Sequence, residues 1–144
     1  MSDRYECLKL KNQLCFPLYA ASKEIVRLYK PWLDEIDLTY TQYITMMVLW
    51  EKRESNVKEL GKCLYLDSGT LTPLLKKLEG KGLIERHRSE EDERNLIIRV
   101  TEQGMRLRER AADVPARVGS CVQLSPEEAR TLYELTYKVL ESID

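Results

Sequence analysis

Leu10, Leu14, Leu18, Ala21, Ile25 and Leu28 recur at three- and four-residue intervals, with charged and polar residues between them. This spacing predicts one amphipathic helix over about Asn12 to Tyr29. Pro31 predicts its stop near Tyr29, because a proline steers the preceding residue away from helical geometry. A second helix follows "DLTYTQY", where Thr39 or Thr41 can cap and Tyr43 to Trp50 supply the apolar run. Asn56 to Leu64 reads as a short helix with Leu60 and Leu64 turned inward. Asp67 or Ser68 then caps another helix, which runs to about Lys81 and ends at Gly82.

After Gly82 the period changes. "LIERHR" and "NLIIRV" read as two short strands, and "SEEDER" between them is a polar loop of hairpin size. Thr101 caps a helix from Glu102 to about Ala112, which Pro115 interrupts or follows. Ser125-Pro126-Glu127-Glu128 is a helix start, with a cap, a proline at the first position and acids in the first turn. That helix reaches about Ile143. The fold class expected is mainly α with a small β-hairpin. Helix, helix, turn, helix and hairpin, in that order, make a winged helix-turn-helix over about residues 36–101. A small helical domain with an incidental hairpin would share this order.

At 144 residues, 43% apolar and 33% charged, the chain is of a length for one domain, residues 1–144. No stretch approaches the roughly 18 uninterrupted apolar residues of a membrane span. "MSDRYECLKLKNQL" has no apolar signal-peptide core, so a cytoplasmic location is expected, with no membrane partner. The net charge of −1 argues against nucleic acid, but local charge decides. Between Ser68 and Arg88, Lys76, Lys77, Lys81, Arg86 and Arg88 face only Glu79 and Glu85. The reading helix divides into a core stripe, Leu71, Leu74, Leu75 and Leu78, and a polar face of Ser68, Thr70, Thr72, Lys76 and Lys77. Small hydroxyl residues at a helix N-terminus allow close entry to a major groove. Ser68 and Thr70 are equally compatible with a mere capping role. Pro73 costs the helix a backbone bond without an evident reason. In the loop, Asp92 can pair with Arg94 and hold it extended, as suits a narrow minor groove.

These residues carry a resemblance. "Leu78-Glu79 … Gly82-Leu83-Ile84-Glu85-Arg86 … Asp92-Glu93-Arg94 … Val100-Thr101-Glu102-Gln103-Gly104" resembles the MarR family of winged-helix repressors over about Leu60 to Gly104. The resemblance implies a homodimer on double-stranded, pseudo-palindromic operator DNA. It also implies dimerisation helices at about 8–30 and 102–144, reading helices in the major grooves, and Arg94 in the adjacent minor grooves.

Cys7, Cys15, Cys63 and Cys121 include no C-x-x-C pair, and His87 is the single histidine, so no metal or other cofactor is expected. The default for each cysteine is a small buried hydrophobe; the exception would be redox chemistry. On a helical wheel Tyr19 lies about 40° from Cys15, and Tyr29 about 40° to the other side but about 21 Å along the axis. Tyr29 therefore reaches a Cys15 only from a second chain crossing antiparallel about a two-fold axis, and Tyr40 could join it. The tyrosines could also simply pack. Phenols that donate to sulfur stabilise the thiolate, the form that reacts with peroxide. Phe16, Leu18 and Trp32 would favour apolar organic hydroperoxides.

"NQLCFPLYAASKE", "YKPWLD", "LTYTQY" and "LYLDSGTLTPLLKKLE" resemble the organic-hydroperoxide-sensing, OhrR-like branch of that family. The resemblance implies that Cys15 is the peroxidatic cysteine, that Tyr29 and Tyr40 of the partner subunit bond it, and that Tyr19 belongs to the same pocket. The implied function is a repressor that binds its operator when reduced and releases it on oxidation. Cys121 is a candidate resolving thiol, a low-molecular-weight thiol the alternative. Cys7 and Cys63 are read as structural or incidental. Release by a noncovalent aromatic ligand, or a thiol peroxidase, are the competing readings.

Overall fold

Pro17 and Pro31 govern the first long helix. In the computed structural model of the chain, which describes residues 3–143, this helix, α1, spans Cys15–Asp34. It starts later than the apolar repeat predicts, because Leu10–Asn12 forms a separate 3-10 turn. The Asn12 side-chain amide donates to the Glu6 carbonyl at 2.8 Å. The Gln13 amide donates to the carbonyls of Cys7 at 2.6 Å and Lys9 at 3.0 Å. These bonds compete with helical continuation. Starting at Cys15 also puts Pro17 in the first turn, where a missing N–H breaks no helical bond.

Pro31 does not end α1 as expected but lies inside it. A proline in a helix interior costs on the order of 3 kcal/mol. Burial of Leu33, Ile36 and Leu38 just beyond it offsets this, at roughly 1.5–3 kcal/mol for each fully buried aliphatic side chain. The reading helix likewise continues through its Pro73, which nothing in the structure explains.

Thr39 caps α2, Tyr40–Lys52. Its hydroxyl accepts the Gln42 amide at 3.3 Å, and Gln42 Oε1 accepts the Thr39 amide at 3.1 Å. Tyr43, Met46, Leu49 and Trp50 form its buried face. Arg53, with φ 71°, then turns the chain into a strand the sequence did not predict, β1, Glu54–Asn56. Three residues are too few for alternation to register.

Asn56 caps α3, Val57–Leu64, by accepting the Glu59 amide at 2.7 Å. Tyr65 in the left-handed region makes the turn, and α4, Ser68–Gly80, follows. Leu60 is buried as expected, whereas Leu64 is half-buried. Gly82, with φ 78°, reverses the chain after α4. The hairpin is β2, Ile84–Arg88, against β3, Leu96–Val100. All pairings are antiparallel in the order β1-β3-β2, with Ile98 opposite both Ser55 and Arg86. Thr101 caps α5, Glu102–Ala111, and α6 covers Val114–Gly119. In α7, Pro126–Ile143, Ser125 and Glu128 form the expected capping box.

The chain divides into two compact units, Met1–Val114 and Pro115–Asp144. The first carries the winged helix. Its core joins α1, α2, α3, α4 and the sheet through Leu33, Met46, Leu49, Leu60, Leu78 and Ile98, all 0–2% exposed. In the second, no residue of α7 is buried, and Leu132, Tyr133, Leu135 and Tyr137 are exposed.

Gly104 fixes the base of the wing. A Cβ there would lie 2.3 Å from the Leu83 carbonyl oxygen and 2.8 Å from Val100 Cγ2. Its own carbonyl accepts the Trp50 indole N–H at 2.8 Å. Gly104→Ala should therefore destabilise the first unit by about 2–3 kcal/mol, as overpacking does. Urea unfolding should show a lower midpoint with an unchanged slope.

Candidate DNA-reading face and thiol site

The two helices of the turn present their polar residues on one side. Asp67 is the cap of α4: its carboxylate accepts the Thr70 amide at 2.7 Å, which holds the carboxyl below its usual range. Ser68 is thus free of the capping role, while the Thr70 side chain also bonds the Asp67 carboxylate; both are exposed, as are Thr72, Lys76 and Lys77. Thr72 donates its hydroxyl proton to the Ser68 carbonyl at 2.8 Å, which leaves its oxygen available as an acceptor. A groove of about 790 Å³ runs between α3, α4 and the wing. It brings Ser68, Thr72, Arg86 and Arg94 together with Lys58 and Lys62. The two α3 lysines were missed in the sequence, because an amphipathic helix carries lysines on any solvated face.

One expectation for the hairpin needs correction. Asp92 does not hold Arg94 through a side-chain ion pair. Its carboxylate accepts the Arg94 backbone amide at 3.0 Å, an Asx turn that shapes the loop and leaves the guanidinium outside that bond. The loop is closed by Ser89 N–H to Asn95 O at 2.8 Å and Asn95 N–H to Asp92 O at 2.9 Å. Arg86, a DNA-contact candidate among the basic residues of this region, is half-buried and donates to Glu79 at 2.9 Å, tying β2 to α4. This bond also holds the Glu79 carboxyl below its usual range. Arg86 Nε is buried with no partner. A guanidinium spent on Glu79 presents little net charge to phosphate.

All four cysteines are exposed and unpaired, which overturns the default of small buried hydrophobes. Cys7 and Cys121 place their sulfurs 3.6 Å from the carbonyls of Arg4 and Arg117. Cys15 is the first residue of α1. Leu14, Phe16, Leu18 and Tyr19 around it are all exposed, so the thiol stands on an uncovered apolar surface. Among the described residues no cluster of three or more His, Cys, Asp or Glu could hold a metal.

Tyr29 and Tyr40 meet in the same chain, with ring centroids 5.0 Å apart and edge-on. Tyr43 completes a cluster, 5.7 Å from Tyr29 and 6.3 Å from Tyr40. It is 3% exposed, whereas Tyr29 and Tyr40 are half-buried. Burial raises the pKa of Tyr29; burial and then Tyr29 raise that of Tyr40. Burial, aided by Tyr29 and Tyr40, pushes Tyr43 up to about 12. All three remain neutral hydrogen-bond donors at physiological pH. Tyr19, 63% exposed, stands apart from them on the surface of α1. The sequence places Tyr43 in the apolar run of α2. Its i,i+3 spacing from Tyr40 was the signal available.

A basic, hydroxyl-bearing helix following a tight turn, beside an arginine-tipped hairpin, defines a winged helix-turn-helix of the DNA-binding kind. The family described as transcriptional regulator SarA/Rot matches residues 27–110. The organic hydroperoxide resistance transcriptional regulator of Bacillus subtilis is 47% identical over 99% of this chain and 97% of its own. Reduced AbfR bound to DNA superposes with a TM-score of 0.80 at 33% identity, over 99% of this chain and 100% of that one. AbfR is a protein of Staphylococcus epidermidis. Its disulfide-formed structure gives 0.68 at 33% identity, over 98% and 97%. The chain belongs to the MarR-type winged-helix transcriptional regulators that include these proteins.

The tyrosine cluster has a consequence at alkaline pH. Unfolded tyrosine ionises near pH 10, whereas Tyr43 in the fold does so at about 12. Above pH about 10 the unfolded state has therefore lost more protons, and stability falls as pH rises. The contribution is whole below that pH and lost as pH climbs through about 12. Urea midpoints across this window should decline less steeply in Tyr43→Phe than in the parent.

Proposed function

We propose that this protein is a redox-sensing transcriptional repressor. As a homodimer it binds a pseudo-palindromic operator when reduced, and it leaves the DNA when an organic hydroperoxide oxidises Cys15. One observation carries the sensing role. Tyr29 and Tyr40 lie together at the far end of the helix that begins with Cys15, about 21 Å along the axis by helical rise. They serve a thiol only if that thiol is the partner subunit's Cys15, brought in by an antiparallel crossing of the two α1 helices. The uncovered apolar residues of α1 and α7 support such a dimer: faces this apolar, left bare in one chain, are characteristic of subunit interfaces.

The chemistry follows from the groups present. The Cys15 thiolate attacks the terminal oxygen of the hydroperoxide; an S–O bond forms and the O–O bond breaks. Sulfur loses two electrons, and the departing alkoxide takes a proton to become an alcohol. Neutral phenols stabilise the thiolate by donating to it, a role the raised pKa values of Tyr29 and Tyr40 preserve. The sulfenic acid then condenses with a second thiol, forming a disulfide and releasing water. Exposed Cys121 and a low-molecular-weight thiol are the two candidates, and a relative solved in a disulfide form supports this step. Consumption of one oxidant per thiol makes this a signal rather than turnover, so the protein acts as a regulator and not as an enzyme. It works where the chromosome is, in the cytoplasm. None of its described helices is long and apolar enough to cross a membrane.

On DNA, Ser68, Thr70 and Thr72 would enter the major groove, and Lys76 and Lys77 the flanking phosphates. Arg94, shaped by Asp92, would enter the minor groove. Arg86 would act indirectly, by bracing α4 against β2.

Two measurements test this reading. Cys15→Ser should bind operator as the reduced parent does and stay bound after treatment with cumene hydroperoxide; release by that variant would remove Cys15 from sensing. Arg94→Ala should bind about tenfold more weakly and lower the slope of log affinity against log salt by about 1. Unchanged affinity would take the wing out of the mechanism.

A further inference from the structure

The geometry points to Tyr43 as a positioning residue of the peroxide-sensing pocket: its buried ring fixes Tyr29 and Tyr40 so that both hydroxyls address one thiol. This rests on the proposed sensing role of Cys15. Tyr29 comes from α1 and Tyr40 from the first turn of α2, and the two half-buried rings touch edge-on at 5.0 Å. Two rings meeting at a surface can slide and rotate. What restrains them is the third, which lies 5.7 Å from one and 6.3 Å from the other.

Tyr43 is itself immobilised. It is 3% exposed, and its other side meets the Trp50 ring at 6.4 Å, nearly perpendicular at 71°. Trp50 in turn donates to the Gly104 carbonyl at 2.8 Å, at the start of α5. The Tyr43 ring is thus held between the winged-helix core and the two half-buried phenols. Its depth means that it touches neither the thiol nor the peroxide of the partner subunit. It acts through Tyr29 and Tyr40.

The residue beside Tyr40 is held as well. The Thr39–Gln42 capping box fixes the first turn of α2, and the Lys81 ammonium donates to Gln42 Oε1 at 3.2 Å and to the Asp37 carbonyl. The backbone under Tyr40 is therefore anchored independently of Tyr43. Loss of Tyr43 should loosen the rings without unravelling the turn.

The test uses the full-length reduced protein and cumene hydroperoxide, reading the rate of sulfenate formation at Cys15 across pH alongside operator affinity. Tyr43→Phe keeps the ring and should oxidise at the parent rate. Tyr43→Met keeps a long, adaptable apolar side chain but not the ring, and should oxidise about tenfold more slowly, as misplaced catalytic groups do. Its pH profile should shift to the alkaline side while operator affinity of the reduced protein is retained. In a Tyr29→Phe/Tyr40→Phe background, Tyr43→Met should change the rate no further. A parent-like rate in Tyr43→Met, a slow Tyr43→Phe, or an undiminished effect in the double-phenylalanine background would each overturn the assignment. The underlying sensing role fails separately: it falls if the Tyr29→Phe/Tyr40→Phe protein oxidises as fast as the parent, or if peroxide leaves Cys15 unmodified.

Discussion

The burial of one face of α2 is the constraint on which the rest of the molecule depends. Tyr43, Met46, Leu49 and Trp50 share that face, and each answers to a different neighbour. Tyr43 packs on the phenols of Tyr29 and Tyr40, and Trp50 bonds the start of α5. Met46 and Leu49, both 0% exposed, fill the centre between them. Because Gly104 is pressed against the Leu83 carbonyl, the Trp50 bond also sets where the strands of the wing begin. Lys81 adds a tie from the end of α4 to the first turn of α2. The reading helix, the wing and the tyrosine cluster are therefore all referenced to one rod. A shift of α2 would be felt at each of them, since packed interiors move as units rather than deform locally.

Much of this was legible in the sequence, for physical reasons that differ by element. The caps were the most reliable signals. Thr101 and Ser125 each satisfy an amide that the helix itself cannot, so their positions follow from local chemistry alone, and of the two candidates Thr39 and Thr41 the structure uses Thr39. The leucine stripe of α4 was legible because four apolar residues at helical spacing have one way to be buried. The limits of α1 were not. They depend on Pro17 needing the first turn, on side-chain amides bonding backward, and on core burial beyond Pro31. Only the last of these is tertiary. β1 was invisible because three residues acquire strand geometry only by pairing with β3.

The site was legible in its parts and not in its connections. Cys15 and Tyr29 stand out by spacing, and their separation along one helix already excludes a contact within that helix; Tyr40 lies beyond it, at the start of α2. What spacing cannot reveal is which charged groups neutralise one another. Asp92 and Arg94 are two apart, yet the carboxylate prefers a backbone amide. Arg86 and Glu79 are on different elements, yet pair closely. A five-donor guanidinium binds whichever carboxylate the fold delivers, and the fold delivers Glu79.

The distribution of burial explains why a sensor of this kind would require two chains. Tyrosines that are to donate to a thiolate must be held in place, and packing against the core is what orders their rings. A thiol that is to meet an organic hydroperoxide must be reachable. One environment cannot supply both conditions in full. Here Tyr29, Tyr40 and Tyr43 gather against the core at one end of α1, while Cys15 stands on open apolar surface at the other. In the proposed dimer, an antiparallel crossing would bring each end to its counterpart, so that the pocket exists only at the seam. Oxidation there would add an oxygen, and then a bulky or tethering disulfide, where two subunits must fit together. The chemical event and the spacing of the two reading heads would then depend on the same contact.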